Sequence, residues 1–142
     1  MKRVIILISV IYAFVSSCQK SPQNVLVGSW EVSISVQYEA TIGGATSTST
    51  VDGGVWYYTF EENGHGRMVD VNDVTVRYEF TYQYDELFNA ILLKRSNSQK
   101  ETVMEVDVLT KNSFVLHSSD TATLGGIASG KSVATYRGTK IK

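Results

Sequence analysis

The chain has 142 residues, of which 43% are hydrophobic, with 13 basic and 14 acidic side chains and a formal net charge of −1. This length is sufficient for one domain with a hydrophobic core. The near-neutral charge and the lack of a basic stripe exclude a typical nucleic-acid-binding surface. Because Cys18 is the only cysteine, no disulfide can form within the chain, and stability must come from the core.

The first eighteen residues have the pattern of a cleaved N-terminal signal helix. Two basic residues follow Met1, and the apolar run 4–15 is too short to span a hydrocarbon core of about 30 Å. Residues 15–18, VSSC, resemble the lipobox of bacterial lipoproteins, in which small residues precede an acylated cysteine. The resemblance implies a signal peptide over 1–17 and a lipid anchor at Cys18. The alternative is an ordinary secretory signal in which Cys18 has no role.

The segment after the anchor is predicted to be a lipidated, flexible polar tether over 18–25, followed by one domain over 26–142. Two or three acyl chains at Cys18 would make the membrane attachment effectively permanent. Residues 19–21, QKS, lack the Asp next to the cysteine that retains lipoproteins at the inner membrane in enterobacteria. They also lack the acidic pair that is typical of surface export in Bacteroidetes. The expected location is therefore the outer membrane, facing the periplasm or at the cell surface.

Alternating apolar and polar side chains predict strands along the rest of the chain. Residues 30–38 alternate strictly, which is typical of a half-buried strand. The longest run, 74–84, would be about 37 Å long and should bend around a core. Asn63-Gly64 is a strong hairpin signal between two of the strands. The predicted strands are 30–38, 55–60, 65–71, 74–84, 87–94, 103–109, 114–117 and 133–138.

Short turns join most of these strands in sequence order. This favours an all-β fold, an eight-stranded up-and-down antiparallel barrel, although the number of strands alone leaves a Greek-key sandwich open. Two longer connections, 41–54 and 119–131, are rich in Gly, Ser and Thr and are predicted to be mobile loops.

The order of the motifs resembles lipocalin-like domains. Residues 26–30, LVGSW, are similar to the Leu-x-Gly-x-Trp start of that family. Residues 59–64, TFEENG, and the segments 82–87 and 108–114 are similar to hairpins of small lipocalin-like lipoproteins of Bacteroidetes. The resemblance covers most of the predicted domain and implies a calycin-like barrel.

The resemblance also implies structural roles at one end of the barrel. Gly28 and Trp30 would open the first strand, and Arg137 of the last strand would cover the Trp30 ring. A cation over the ring would contribute about 0.5 to 2 kcal/mol and would help to close that end. The chain departs from lipocalins in its shorter length and in lacking their disulfide.

The interior of such a barrel either is filled by side chains or holds one small ligand. The aromatic side chains of this chain fit both interpretations, because rings can line an apolar cavity or form the core. If they line a cavity, the ligand-binding residues are Trp56, Tyr58, Tyr78, Phe80, Tyr82 and Phe114.

No catalytic site, metal site or cofactor is predicted. His65 and His117 are at no ligand-like spacing, and Glu61 and Glu62 are adjacent, so they would point to opposite faces of a strand. The sequence has no Gly-x-Ser-x-Gly elbow and no phosphate-binding loop. A non-enzymatic protein is expected, with a hydrolase built from scattered residues as the weakest alternative.

Two functions stay open at this stage. The first is a membrane-anchored lipocalin-like lipoprotein that binds a small hydrophobic ligand inside the barrel. The second is a packed barrel that contacts a protein or glycan partner through the loops 41–54 and 119–131. An interior void of about 300 Å³ or more would favour the first, and a filled barrel with exposed aromatic side chains at the loop end would favour the second. A monomer is expected in both cases.

Overall fold

The computed structural model describes residues 21–141. In this range one short helix, α1 (Pro22–Leu26), precedes eight strands. The predicted signal peptide and Cys18 lie outside the described residues. Within 21–141, no helix has the length and apolarity needed to cross a membrane. The strands are β1 (Gly28–Ile42), β2 (Ala45–Phe60), β3 (His65–Asp70), β4 (Arg77–Asp85), β5 (Ala90–Arg95), β6 (Glu101–Leu109), β7 (Ser113–Leu124) and β8 (Ala128–Lys140).

Each strand pairs antiparallel with its neighbours in sequence, and β1 also pairs with β8, so the sheet closes on itself. The predicted all-β, eight-stranded up-and-down antiparallel barrel is therefore confirmed. The β1–β8 ladder is long, since it runs from Trp30 opposite Lys140 to Ile42 opposite Ala128. The first and last of the described strands thus form the seam of the barrel.

The two Gly-, Ser- and Thr-rich connections are strands, so the prediction of mobile loops over 41–54 and 119–131 is wrong. Most of each connection extends a hairpin, β1–β2 or β7–β8. The hairpins turn at glycine pairs 43–44 and 125–126, where all four residues have positive φ. Glycine adopts this conformation without steric cost, as tight hairpin turns require. Apolar alternation is weak in these strands because their side chains are mostly exposed, while Thr keeps its preference for strands.

Four strands continue past the rest of the barrel. The β2–β3 ladder covers only Trp56 to Phe60, and the β6–β7 ladder ends at His117. Beyond these points the order β2-β1-β8-β7 forms a four-stranded sheet, which we call the flange and define as residues 36–51 and 118–134. The two hairpin tips of the flange touch, since the backbone N–H of Gly43 donates a hydrogen bond to the carbonyl of Ile127 at 3.4 Å.

A β-bulge marks the base of the flange. Gly53 and Gly54 of β2 both lie opposite Ile34 of β1. A Cβ at Gly53 would lie 2.8 Å from the Ile34 Cγ2 atom, so only glycine fits there without movement. The Trp56 Nε1–H donates a hydrogen bond to the Gly53 carbonyl at 3.1 Å. The bulge therefore bends β2 at the point where the barrel ends and the flange begins.

Side-chain hydrogen bonds shorten the predicted strand 74–84. The Asp73 carboxylate accepts hydrogen bonds from the backbone N–H and the hydroxyl of Thr75, at 3.0 and 2.6 Å. These bonds hold a turn ahead of β4 and leave Val74 69% exposed. They also lower the pKa of the Asp73 carboxyl group. Leu87, predicted to open the fifth strand, is likewise exposed in a turn.

The helix α1 lies at the barrel end opposite the flange. It includes 22–25 of the predicted tether, and Pro22 suits the first turn of a helix because its missing N–H has no partner there. Leu26 is fully buried. Its carbonyl accepts a hydrogen bond from the Trp30 indole N–H at 2.6 Å. The folded domain therefore begins a few residues before the predicted boundary at 26.

The core fills the part of the barrel between α1 and the base of the flange. The ring of Phe60 lies 4.9 Å from that of Tyr82 and 5.4 Å from that of Phe80, measured between centroids. These rings occupy the space that an interior ligand would need. The buried cluster is Leu26, Trp30, Val32, Tyr58, Phe60, Met68, Phe80, Tyr82, Ile91, Leu93, Met104, Phe114 and Leu116.

Candidate functional site

The closed end of the barrel is built around Trp30, and the cation over its ring is Lys140. The Lys140 Nζ atom lies 4.9 Å from the ring centroid and donates a hydrogen bond to the Val27 carbonyl at 2.7 Å. Arg137, predicted for this place, is exposed and lies opposite Ser33. Successive residues of a strand point to opposite faces, so Arg137 is directed outward while Lys140 shares the inner face with Trp30. The assignment of Arg137 is therefore wrong.

Gly28 makes room for this cation. Its φ is +126°, and a Cβ there would lie 2.8 Å from the Lys140 Cε atom. A larger residue at position 28 would displace the lysine from the ring. Gly28 thus acts with Trp30 and Lys140 as one structural unit at the closed end.

Replacing Lys140 with Ala is expected to lower the free energy of unfolding by about 1 to 2 kcal/mol, through loss of the cation–π contact and of the hydrogen bonds to the Val25 and Val27 carbonyls. The matched control is Arg137→Ala, for which the change should stay within about 0.5 kcal/mol because the side chain is exposed. Urea unfolding followed by circular dichroism measures both. A larger loss for Arg137→Ala than for Lys140→Ala would contradict this account.

The six predicted ligand-binding residues lie at different levels of the barrel. Phe114 packs on Trp30 at the closed end, with 4.9 Å between the ring centroids. The Tyr82 hydroxyl donates a hydrogen bond to the Glu61 carbonyl at 2.6 Å, also near the closed end. Tyr58, Phe80, Tyr82 and Phe114 belong to the buried core. These four side chains pack against neighbours and do not converge on a common cavity.

The other two predicted residues, Trp56 and Tyr78, lie at the open end beneath the flange. Their ring centroids are 6.2 Å apart, and both side chains are partly exposed. The Arg95 guanidinium carbon lies 5.4 Å from the Tyr78 ring centroid. The open end therefore presents two aromatic faces beside one positive charge.

Tyr58 lies between these two levels and is 4% exposed. Burial raises the pKa of its hydroxyl above the ordinary value, and the neighbouring Tyr136 raises it further. Burial also raises the pKa of Tyr82. Both hydroxyls therefore stay protonated in the folded protein at the pH where a tyrosine in water ionises.

The raised pKa of Tyr58 predicts loss of stability in alkali. The unfolded chain releases this proton near pH 10, whereas the folded protein retains it. Its contribution to stability is therefore complete below about pH 10 and falls as the pH rises above that value. Urea midpoints at about pH 8 and about pH 11 should differ less in Tyr58→Phe than in the wild type. Tyr57→Phe, at an exposed neighbouring position, should keep the wild-type difference, and equal behaviour of both variants would contradict the prediction.

The inner face of the flange carries a cleft of about 540 Å³. Its floor is the row Ala40, Gly130 and Ala122, which are directly opposite one another in three adjacent strands. Gly130 deepens the floor, since a Cβ placed there would have no atom nearer than 3.9 Å. Tyr38, 47% exposed, and Asp120 line the cleft as well. A small apolar floor with an aromatic ring and a carboxylate suits a ligand that has one apolar face.

Asp120 is held by Lys100, which extends from the turn between β5 and β6. The two side chains form a hydrogen-bonded ion pair at the surface. This bond and the positive charge of Lys100 lower the pKa of the Asp120 carboxyl group. The carboxylate is therefore ionised at neutral pH, and the ion pair links β7 of the flange to the β5–β6 turn.

The two histidines do not meet. The His117 Nε2 atom lies 2.7 Å from an Asp107 carboxylate oxygen, and its Nδ1 atom lies 3.1 Å from the Thr135 hydroxyl. His65 is at the start of β3, on a different part of the barrel. Within 21–141, no group of three His, Cys, Asp or Glu side chains is arranged to hold a metal ion.

No protein-family model and no curated protein matches the sequence. Among solved structures, the chain is similar to lobster apocrustacyanin A1, with a TM-score of 0.41 and 10% sequence identity. The alignment covers 80% of this chain and 61% of that chain. At this level the likeness supports no functional conclusion, and the barrel architecture rests on the strand pairing described above.

Proposed function

We propose that the protein is a non-enzymatic, lipid-anchored binding protein that holds a small, partly apolar ligand in the cleft of the flange. The observation that carries this proposal is the contrast between the packed interior and the open cleft. Aromatic rings fill the barrel, whereas the cleft of about 540 Å³ is within the usual range of small-molecule sites. The Tyr38 ring, 47% exposed, lines this cleft. The packed barrel and this exposed ring also suit the alternative function, contact with a protein or glycan partner through the flange.

The anchor would lie at the opposite end of the molecule from this cleft. Cys18 precedes the first described residue, Ser21, by only three positions, and α1 follows immediately. The strand β1 then runs 15 residues from the closed end to the flange tip, about 50 Å along the strand. A lipid at Cys18 on the outer membrane would thus display the cleft away from the membrane, in the periplasm or at the cell surface.

A second candidate site is the open end of the barrel. It is favoured by the partly exposed rings of Trp56 and Tyr78 and by the charge of Arg95 above Tyr78. A small apolar ligand with an acidic group would fit this chemistry. This candidate keeps the predicted small-ligand function and moves the ligand from the interior to the mouth.

The decisive experiment is native mass spectrometry of the mature protein, purified in mild detergent from the organism that encodes it, with a denatured control. A discrete extra mass that disappears on denaturation is the expected result. The variant Gly130→Val should lose that mass, because it fills the cleft floor, and Trp56→Leu should keep it. Wild-type far-ultraviolet circular dichroism spectra of both variants would show that the barrel is folded.

The reverse result assigns the ligand to the open end. In that case Trp56→Leu loses the extra mass and Gly130→Val retains it. A bare polypeptide in the wild type rejects both small-ligand candidates. It is the result expected for a packed barrel that contacts a protein or glycan partner through the flange.

A further inference from the structure

The two outer edges of the flange differ in charge. The edge formed by β7 carries Asp120 with its partner Lys100. The edge formed by β2, residues 45–51, reads ATSTSTV and has neither a charge nor a proline. All seven residues are exposed, and among the described strands none pairs with the outer side of β2 before Trp56. The β2 edge therefore offers a row of backbone N–H and C=O groups to another strand.

Exposed strand edges of this kind are unusual in folded proteins. Edges are normally protected by Lys, Pro, a bulge or a covering segment, because an open edge templates pairing with another chain. In the flange the β7 edge carries one charged residue, Asp120, which Lys100 pairs from the β5–β6 turn, whereas the β2 edge has no charge over seven residues. This difference points to the β2 edge as an interaction surface that pairs with an extended strand.

We propose that the occupant is the same edge of a second copy of this chain, paired antiparallel about a two-fold axis at Thr48. Residues 46–50 of the edge, TSTST, are symmetric about that residue. The two-fold register places Thr48 opposite Thr48 of the second copy and Thr46 opposite Thr50 of the second copy. It also places Ala45 opposite Val51 of the second copy. Cross-strand Thr and Ser pairs are favourable, and an isologous interface requires this self-complementarity.

The charges near the axis are compatible with this register. Asp52, the first carboxylate beyond the edge, falls opposite Gly44 of the second copy, so no like charges oppose each other directly. Glu39 is opposite Thr48 in β1, and Lys131 is opposite Glu39 in β8. The two copies of Glu39 would be three strand spacings apart, about 14 Å, which exceeds the Debye length of about 8 Å in physiological salt.

The geometry also fixes the orientation and the strength of the dimer. Antiparallel pairing directs the two flanges past each other, so the α1 ends of the two copies point in opposite directions. Such a dimer joins copies anchored in two membranes that face each other, or copies whose domains can rotate relative to their anchors. It does not suit two neighbours that stand upright on one membrane. A ladder of seven residues buries less area than the roughly 1,600 Å² of a standard interface, so a weak, reversible dimer is expected. This revises the expectation of a monomer.

Disulfide trapping of the mature protein in mild detergent tests the register. Directly opposed Cα atoms in an antiparallel pair are about 4.5 to 5.5 Å apart, which is within the span of a disulfide. Under mild oxidation, Thr48→Cys should give a reducible covalent dimer well above the level of the wild type, which controls for Cys18. Thr46→Cys and Thr50→Cys should cross-link efficiently only when the two variants are mixed. Thr123→Cys, on the protected edge, is the matched control.

The proposal is overturned if Thr48→Cys gives no more dimer than the wild type, or if Thr123→Cys gives as much. A second measurement uses sedimentation velocity over a concentration series. Thr48→Lys should abolish the concentration-dependent dimer, because it sets two positive charges on the axis, and Thr123→Lys should leave it unchanged. A dimer that persists in Thr48→Lys would also reject the β2 edge. Ligand loading in the cleft is independent of these outcomes, since the cleft lies on β1, β8 and β7.

Discussion

Replacing Trp30 with Ala is expected to lower the free energy of unfolding by about 3 to 5 kcal/mol, the range for large aromatic side chains removed from a core. The Trp30 side chain is fully buried and connects three elements. Its indole N–H bonds to the Leu26 carbonyl in α1, its ring packs on Phe114 in β7, and Lys140 in β8 covers the ring. Urea unfolding followed by far-ultraviolet circular dichroism measures the loss.

Two further variants separate the contributions at this end. Trp30→Phe keeps most of the apolar volume but leaves the Leu26 carbonyl without its partner, for an expected loss of about 1 to 3 kcal/mol. Trp56→Ala removes the other tryptophan, which is only partly buried, and should cost less than Trp30→Ala. If Trp56→Ala were the more damaging change, the closed end would not be the centre of stability that the contacts indicate.

A methyl group at Gly138 is expected to destabilise the fold by about 1 to 3 kcal/mol, and Gly138→Val by about 3 kcal/mol or more. The Phe114 ring lies directly over Gly138 in the adjacent strand, and a Cβ there would lie 2.3 Å from two ring carbons. The ring cannot move away freely because it packs against Trp30. Thermal and urea unfolding of the Ala and Val variants measure the effect.

Gly130→Ala is the matched control on the same strand and the same face. Space is open at that position, so the substitution should be neutral or should stabilise the fold by about 0.4 to 1 kcal/mol. The gain would arise because alanine lowers the conformational entropy of the unfolded chain. Equal losses of stability for the two alanine variants would mean that β8 accepts no added methyl group at either position. The Phe114 ring would then not be the cause of the loss at Gly138.

The sequence was sufficient to predict the central strands and the class of fold. Apolar side chains alternate where one face of a strand is buried, as in 30–38, and this pattern identifies a strand and its inward face together. The turns between the middle strands contain residues with strong local preferences, such as Asn63-Gly64. Sequential strands with short turns then leave few topologies, of which the closed barrel is the one observed.

The flange was not predicted because most of its side chains are exposed, so its sequence lacks the apolar alternation that burial of one face produces. Neither 41–54 nor 119–131 has one clearly apolar face, so composition alone suggested loops. The regular Thr and Ser alternation in 46–50 and the glycine pairs near the two hairpin tips were the available signals for strands. Lys140 was missed for a related reason, since only the β1–β8 register places it opposite Trp30.

The candidate site depended on packing, which the sequence does not contain. The six aromatic residues predicted to line a cavity belong to the buried cluster or pack against it, but whether rings leave a void is decided by contacts between strands distant in sequence. The Phe60, Phe80 and Tyr82 rings meet across β2 and β4 and occupy that volume. The cleft, in contrast, depends on small residues, Ala40, Gly130 and Ala122, whose alignment arises from the long β1–β8 and β7–β8 ladders.

The seam between β1 and β8 has a kinetic consequence. Among the described strands, the first in sequence pairs with the last, and the Lys140 Nζ atom donates a hydrogen bond to the carbonyl of Val27 across 113 positions of the chain. Local hairpins can form early, but the ring of strands closes only once 128–140 are present. Contacts this far apart in sequence slow folding, typically to milliseconds or seconds. Until then the chain exposes the edge of β1 and the apolar inner face of an unclosed sheet, and it is most prone to aggregation at that stage.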